Sequence, residues 1–227
     1  FPSSIATIKL FLIFVAFIIF MLTGASRLVI ENDLRQYVFG SLVQRTDDHS
    51  LNEMLAGTNT FQILIDTTRP DGVKDPHILK NLDALQRFIE SQPHVGKTIS
   101  LADYLKLMNK SMHNNEVAKD VTPESSELAA QYLLLYSSAA DPTDFDQLVD
   151  NDYQRVLIKV FLKTGSNTAV SELLNKIKEK SNTLFDQNTQ VTFGGGLLGG
   201  LAISDIMIKE KLLNICQILF CIFLVVT

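Results

Sequence analysis

The two ends of this chain are long apolar segments, and they limit its folds more than any other feature. Thirteen apolar residues run without interruption over Leu10–Leu22, and Leu212–Thr227 carries no charge. Of the 20 basic and 25 acidic residues, only Lys9 lies outside Arg27–Lys211. A helix of about 20 apolar residues spans the roughly 30 Å hydrocarbon core of a bilayer. The pattern predicts a transmembrane helix over residues 1–26 and the start of a second over 208–227.

Other interpretations of the first segment stay open. Gly24-Ala25-Ser26 weakly resembles the small-residue cleavage site of a signal peptide, and a buried core helix is also apolar. The chain begins at Phe1-Pro2 without an initiator Met, and the second apolar segment is shorter than a full span. We therefore expect an internal fragment of a larger membrane protein, cut inside its second membrane helix.

The stretch between the apolar ends, residues 27–207, has the composition of a folded polar domain. The whole chain is 46% hydrophobic and 20% charged, with a formal net charge of −5. This balance excludes a disordered chain, a collagen-like chain and a basic protein that binds nucleic acid. We therefore expect no nucleic-acid partner.

Strand-like and helix-like patterns alternate through this domain. The predicted strands are Thr60–Asp66, Val95–Ser100, Arg155–Lys163 and Gln190–Phe193. In the third, one face carries Val156, Ile158, Val160 and Leu162. Helices are predicted after the start signals Asp75-Pro76, Ser100 with Asp103, Thr122-Pro123 and Asp141-Pro142, and from about Ser166 to Leu184.

The order of these elements predicts the fold class. Strand–helix–strand is followed by a helical insertion at about residues 101–150, and then by a second strand–helix–strand. Two such βαβ units predict an α+β domain of the ferredoxin-like kind, with helices packed on one face of a four-stranded sheet. The whole chain is then an α+β domain between two membrane helices.

A glycine run follows the last predicted strand. Gly194, Gly195, Gly196 and Gly199 satisfy G-x-G-x-x-G, the pattern of a dinucleotide-binding loop. The acidic residue expected about 20 positions later is missing, because that region is the apolar Leu213–Leu219. No Gly-Lys-Ser/Thr follows, which excludes a phosphate loop. We therefore interpret the run, together with Gly200, as a flexible hinge where the domain returns to the membrane.

No other pattern indicates catalysis or a bound group. The four histidines are far apart, and no serine lies in a G-x-S-x-G elbow. Cys216 and Cys221 lie five residues apart in the second apolar segment, a spacing that fits no metal or redox motif. The acidic pairs are interpreted as helix caps and solvated faces. We predict no catalytic, cofactor-binding or metal-binding residue and no enzymatic activity. Asn109-Lys110-Ser111 matches the glycosylation triplet, which often occurs by chance.

Several segments, taken in order, resemble a known family. They are Leu28–Asp33, Gly57–Asp66 (GTNTFQILID), Val95–Lys97 with Ser100–Asn109 (SLADYLKLMN), Ala130–Tyr136 (AQYLLLY) and Leu148–Lys163 (LVDNDYQRVLIKVFLK). Their order and spacing resemble the second extracytoplasmic domain of the resistance-nodulation-division (RND) superfamily. The branch is that of the mycobacterial membrane protein large (MMPL) and hopanoid transporters. The chain departs from the family at Gly40–Val43, where a proline and acidic run is usual.

The resemblance implies a function and a location. Transporters of this family export hydrophobic or amphiphilic, lipid-like cargo across the bacterial inner membrane with the proton gradient. Residues 27–207 would be the periplasmic porter domain, and the proton-relay carboxylates would lie in membrane helices outside this chain. The expected partners are the lipid bilayer, the remainder of the transporter chain, the cargo and further copies in a homo-oligomer.

In such a transporter, cargo contact would fall on apolar faces of the helical insertion. The candidate residues are Tyr104, Met108, Met112, Tyr132 and Tyr136. Packing of the insertion onto the sheet is an alternative role for the same side chains. Two other classes of membrane protein also place a large domain outside the membrane: a sensor with two spans, and the permease subunit of an ATP-driven exporter.

Overall fold

The computed structural model describes residues 50–52, 54–139 and 147–226, together with residues 9, 13, 16, 17, 19, 20 and 23. The chain divides into two units, residues 1–31 and residues 32–227. In the first unit the described positions are helical, and Ile13, Phe17 and Phe20 are exposed. The remainder of the predicted helix over 1–26 lies outside the described residues, as does Gly40–Val43.

The second unit is built on a four-stranded antiparallel sheet. The strands are β1 (Asn59–Asp66), β2 (Val95–Ile99), β3 (Arg155–Leu162) and β4 (Gln190–Gly194). Their order across the sheet is β2-β3-β1-β4, and every neighbouring pair is antiparallel. Each predicted strand is confirmed to within one residue at both ends. The α+β class is therefore confirmed.

The helices begin where capping residues supply acceptors for their first amide groups. They are α1 (Pro76–Glu90), α2 (Leu101–Met112), α3 (Ser126–Ala139), α4 (Asn167–Leu184) and α5 (Gly196–Val226), with 3₁₀ turns at Gly72–Lys74 and Val117–Lys119. Asp75 accepts a hydrogen bond from the His77 amide ahead of α1. Ser100 and Asp103 form the predicted capping box of α2.

One predicted helix start is corrected, and another lies outside the described residues. The third helix was expected to begin after Thr122-Pro123, but α3 begins at Ser126 because Ser125 Oγ accepts a hydrogen bond from the Leu128 amide. A short helix was expected after Asp141-Pro142. Residues 141–146 lie outside the described residues, and the described end of that segment is not helical. Val149 instead forms a β-bridge with Val156.

That β-bridge has a simple cause. β2 pairs with β3 only over Lys159–Leu162, so the beginning of β3 lacks a partner on that side. Backbone amides and carbonyls buried in a sheet need hydrogen bonds. The Leu157 amide donates to the Leu148 carbonyl at 2.7 Å, and the Asp150 amide donates to the Arg155 carbonyl at 3.3 Å. The described residues Leu148–Asp150 therefore pair with the beginning of β3 through an isolated bridge and two backbone hydrogen bonds.

The core lies on one face of the sheet. Alternation places Phe61, Ile63 and Ile65 of β1 on that face, together with the predicted Val156–Leu162 set of β3, and all are fully buried. α1 and α4 cover this face with Leu79, Leu82, Leu85, Ile89, Val170, Leu173 and Ile177. The predicted faces of β3, α1 and α4 are confirmed.

The opposite face of the sheet, called here the open face, has a mixed composition. By alternation and register it carries Thr60, Gln62, Leu64, Lys97, Ile99, Leu157, Lys159, Phe161 and Thr192. Its apolar members are half-buried and are not among the residues of the core cluster.

α5 continues from the sheet almost without a connection. β4 ends at Gly194 and α5 begins at Gly196, with Gly195 at φ +114° between them. Leu197, Leu198 and Leu201 pack against the core. Beyond them large apolar side chains are exposed: Ile203, Ile206, Met207, Leu213, Ile215, Ile218, Phe220 and Ile222. Within the described residues, we find no helix that combines the length and the apolarity of a bilayer span.

Candidate functional site

The predicted cargo residues lie mainly at the junction between α2 and α3. The rings of Tyr104 and Tyr136 meet edge to face, with centroids 6.3 Å apart and an interplanar angle of 86°. Tyr132 is 6% exposed, and its hydroxyl donates a hydrogen bond to Asn109 Oδ1 at 2.9 Å. Edge-to-face pairs stabilise packed aromatic residues by about 1 kcal/mol beyond their buried area. These three tyrosines therefore join the two helices of the insertion.

The two methionines differ from each other. Met108 is half-buried and packs against the core, whereas Met112 is 52% exposed at the end of α2. The structure thus brings Tyr104, Met108, Tyr132 and Tyr136 together and leaves Met112 on the surface. Contact of these five residues with cargo stays a prediction.

Additional exposed apolar side chains on the insertion were missed by sequence reasoning. Leu107, Val117 and Leu134 are 60%, 79% and 70% exposed, and Val121 and Leu135 are 41% and 45% exposed. For Leu134 and Leu135, the signal that could have found them lies in α3, where AQYLLLY is apolar on nearly all sides. A helix that packs one face on a core needs apolar residues on only one stripe. The apolar residues of α3 that are not needed for packing therefore indicate a surface that is available to a partner.

Asn109 holds the insertion together from inside. It is 5% exposed, and its Nδ2 donates hydrogen bonds to the carbonyls of Lys119 and Val121 at 3.1 and 3.0 Å. Its Oδ1 accepts from Tyr132, and burial raises the pKa of that hydroxyl. Since every polar atom of the side chain is engaged in the interior, the glycosylation triplet at Asn109 has no accessible acceptor nitrogen.

A polar network fixes the start of α2 against α1 and β2. The Gln86 side chain is 3% exposed, and its Nε2 donates to Asp103 Oδ2 at 2.6 Å and to Thr98 Oγ1 at 3.1 Å. Ser100 Oγ donates back to Gln86 Oε1 at 2.6 Å. Buried polar groups are costly unless they are hydrogen-bonded, so this satisfied network specifies one docking geometry.

An ion pair extends this network along α2. Lys106 Nζ lies 2.6 Å from Asp83 Oδ1 and 3.3 Å from Asp103 Oδ1. Burial alone would lower the pKa of Lys106, but the hydrogen bond and charge of Asp83, with the charge of Asp103, raise it. The ammonium is therefore held charged and acts as a structural tie between α1 and α2.

The predicted hinge glycines lie in or beside regular structure. Gly194 ends β4, and Gly196, Gly199 and Gly200 lie in the first turns of α5. Their Cβ positions face open space, whereas a Cβ on Gly195 would lie 3.2 Å from the Phe61 Cα. A positive φ and this close approach require glycine at position 195. Flexibility of the run stays a prediction.

The domain also contains a cavity away from the junction between α2 and α3. A cavity of about 610 Å³ lies between the end of α4 and β4, lined by Phe185, Val191 and Phe193 among others, and it holds none of the predicted cargo residues. In the part of the chain that the structure describes, no three His, Cys, Asp or Glu side chains are grouped to hold a metal ion.

No protein-family model matches the chain, and no curated protein matches it.

Proposed function

We propose that this chain is the extracytoplasmic domain, with its membrane attachments, of an RND-type exporter of hydrophobic or amphiphilic cargo in the MMPL and hopanoid branch. The observation that carries the proposal is α5. A single helix leads from the edge of the sheet into a segment whose large apolar side chains are exposed along its length. Such a surface is stable only when it is covered by lipid or by other apolar helices.

The first apolar segment supports the same arrangement. Its described positions are helical, and Ile13, Phe17, Ile19 and Phe20 are 52–70% exposed. The helix of the first unit and the far part of α5 therefore both present apolar side chains to their surroundings. In sequence, two such segments flank one polar domain, as membrane helices flank the porter domain in each half of an RND-type exporter.

The finer description of the fold belongs to this proposal. The strand order β2-β3-β1-β4 with antiparallel neighbours, α1 joining β1 to β2 and α4 joining β3 to β4, supports a ferredoxin-like split βαβ domain. The helical insertion then interrupts the connection between the two βαβ halves. Its exposed apolar side chains are the proposed contact with cargo.

Membrane attachment can be tested with the native cysteines, because the polar domain has none. Cys216 and Cys221 are exposed on α5. In intact liposomes carrying the chain, a membrane-impermeant maleimide should leave both unlabelled until detergent is added. As a matched control, Ser111→Cys on a background without native cysteines should react without detergent in every outward-facing copy. Immediate labelling of Cys216 and Cys221 would overturn the attachment.

Transport is tested in cells that carry the complete exporter. Met112 and Leu134 are exposed, so M112S with L134S should leave folding intact while lowering the efflux of a fluorescent lipid severalfold. Met108 is a poor probe because it packs against the core. Unchanged efflux with this double variant would remove the insertion surface from the cargo path.

A further inference from the structure

The open face of the sheet concentrates positive charge on a chain that is negative overall. Lys97 and Lys159 project from it by register, and Lys163 is the first residue after β3, where its amide donates a hydrogen bond to the His94 carbonyl beside β2. Lys97 and Lys163 are exposed, while the half-buried Lys159 donates to Gln147 Oε1 at 2.6 Å. The formal net charge of the whole chain is −5. The three lysines therefore make this part of the sheet locally positive on a chain whose net charge is negative.

These lysines differ from the other end of the face in their ion pairing among the described side chains. None of the three forms an ion pair there, whereas Arg155 at the far end of the face is paired with Asp66 at 2.8 Å. Unpaired cations on a surface between low-dielectric neighbours attract an anion, and the attraction decreases with salt. This face is therefore complementary in charge to an anionic group.

The same face offers apolar area beside the lysines. Phe161 lies in register with Lys97 on one side and Thr60 on the other, and Leu157 lies in register with Leu64. Side chains directly opposite in neighbouring strands are about 5 Å apart, so a ligand on this face meets cation and hydrocarbon together. A phosphate and the first methylenes of an acyl chain match this alternation.

We propose that the open face binds an anionic amphiphile, with its phosphate among Lys97, Lys159 and Lys163 and its chain along Phe161 and Leu157. The inference rests on the proposed function, whose cargo class it narrows. A nucleic acid fits less well, because Phe161 is the only aromatic residue on the described face and a polyanion is repelled by the remaining net charge. An acidic peptide would pair with the lysines but would leave Phe161 and Leu157 without an apolar partner.

The experiment uses the full chain in uncharged maltoside micelles. The sequence contains no Trp, so Phe161→Trp provides a single fluorophore on the open face. Titration with dodecyl phosphate should give a saturable emission shift, with a midpoint about tenfold lower than that for dodecylphosphocholine. Thr60→Trp, an exposed neighbour in the same row, is the second reporter if the first variant loses its circular dichroism spectrum.

The control variants distinguish binding at the open face from a general effect of the net charge of the chain. K97E with K163E should raise the dodecyl phosphate midpoint at least tenfold, whereas K176E with K178E, exposed on α4 and equal in charge change, should alter it less than twofold. Equal losses in both variants, equal binding of inorganic phosphate, or tighter binding of an oligonucleotide would each overturn the proposal. Because this titration does not depend on bilayer insertion, its failure leaves the cysteine-labelling test of the proposed function unaffected.

Discussion

The sheet with α1 and α4 differs from the helical insertion in where it places apolar side chains. On α1, Leu79, Leu82, Leu85 and Ile89 are all fully buried. On the insertion, Leu107 and Leu134 are more than half exposed, although α2 and α3 also contain fully buried residues. The core face of the sheet with α1 and α4 buries nearly every apolar residue that its pattern offers, whereas the insertion keeps several large apolar side chains exposed.

This difference teaches which positions serve the fold and which are available for a partner. A buried apolar residue is explained by the free energy of its burial, so it needs no ligand. A group of exposed apolar residues on one structural element gains nothing from folding and indicates a binding surface. The insertion therefore holds the candidates for cargo contact, and the core face of the sheet with α1 and α4 holds the candidates for stability.

The strongest test of this contrast substitutes one leucine in each region. Leu82→Ala should destabilise the chain by about 2–5 kcal/mol, because it removes buried methyl groups and leaves a cavity. Leu134→Ala, at 70% exposure, should change the free energy of unfolding by less than about 0.5 kcal/mol. Urea unfolding in uncharged micelles, followed by circular dichroism, measures both. A large loss from the Leu134 variant would remove the distinction.

The insertion also contains a polar anchor whose loss should be costly. Asn109→Ala leaves the carbonyls of Lys119 and Val121 and the hydroxyl of Tyr132 without their partner, so we expect a loss of about 2 kcal/mol. Tyr132→Phe removes one of these hydrogen bonds and should cost about 1 kcal/mol. Hydrogen exchange should localise the Asn109 effect to residues 101–139. If amides in β1 and β3 lost as much protection from exchange, Asn109 would stabilise the whole domain and not the insertion in particular.

Two glycines near the junction of β4 and α5, Gly195 and Gly199, should respond oppositely to substitution by alanine. Gly195→Ala should destabilise the chain by about 1–2 kcal/mol, since it forces an L residue to φ +114° and crowds the Phe61 backbone. Gly199→Ala lies inside a helix with open space at its Cβ and should stabilise by up to about 1 kcal/mol. Thermal unfolding compares the two. If Gly199→Ala also abolishes efflux by the complete exporter, the hinge interpretation gains its first support.

The smallest expected effect concerns pH at the far end of the sheet. The hydrogen bond from Arg155 lowers the pKa of Asp66, against the effect of burial, and those from Gln154 and the Thr68 amide add to it. A carboxyl with a lower pKa when folded contributes stability above its usual range, and that contribution disappears as the pH falls through the folded-state value. Asp66→Asn should therefore lower the Tm by about 2 °C at pH 7 and leave it unchanged near pH 2. A difference that persists at pH 2 would assign the loss to hydrogen bonding alone.

Most of the sheet could be predicted because its sequence signals are local and agree with one another. β3 alternates over its whole length, and the caps at Asp75 and Ser100 mark where α1 and α2 begin. The segment at Val149 could not be predicted in this way. Its structure depends on an unpaired stretch of β3, which becomes visible only when the registers of β2 and β3 are known.

The candidate site was predictable in part for a related reason. The spacing of Tyr132 and Tyr136 identified a helix face, but spacing does not reveal whether that face meets another helix or the surroundings. The open face shows the opposite case. Its lysines are spread over β2, β3 and the residue after β3, so they become neighbours only through strand register. No single window of sequence contains that juxtaposition.

Only one residue separates β4 from α5, so a small rotation at this junction produces a large displacement at the far end of the helix. α5 has 31 residues, which at 1.5 Å each extend about 46 Å in a straight helix. A tilt of about 10° at the Gly195 end then moves the far end through an arc of about 8 Å. Because one residue separates strand from helix and its Cα lies against β1, such a tilt cannot be absorbed by a slack loop and must pull on the edge of the sheet.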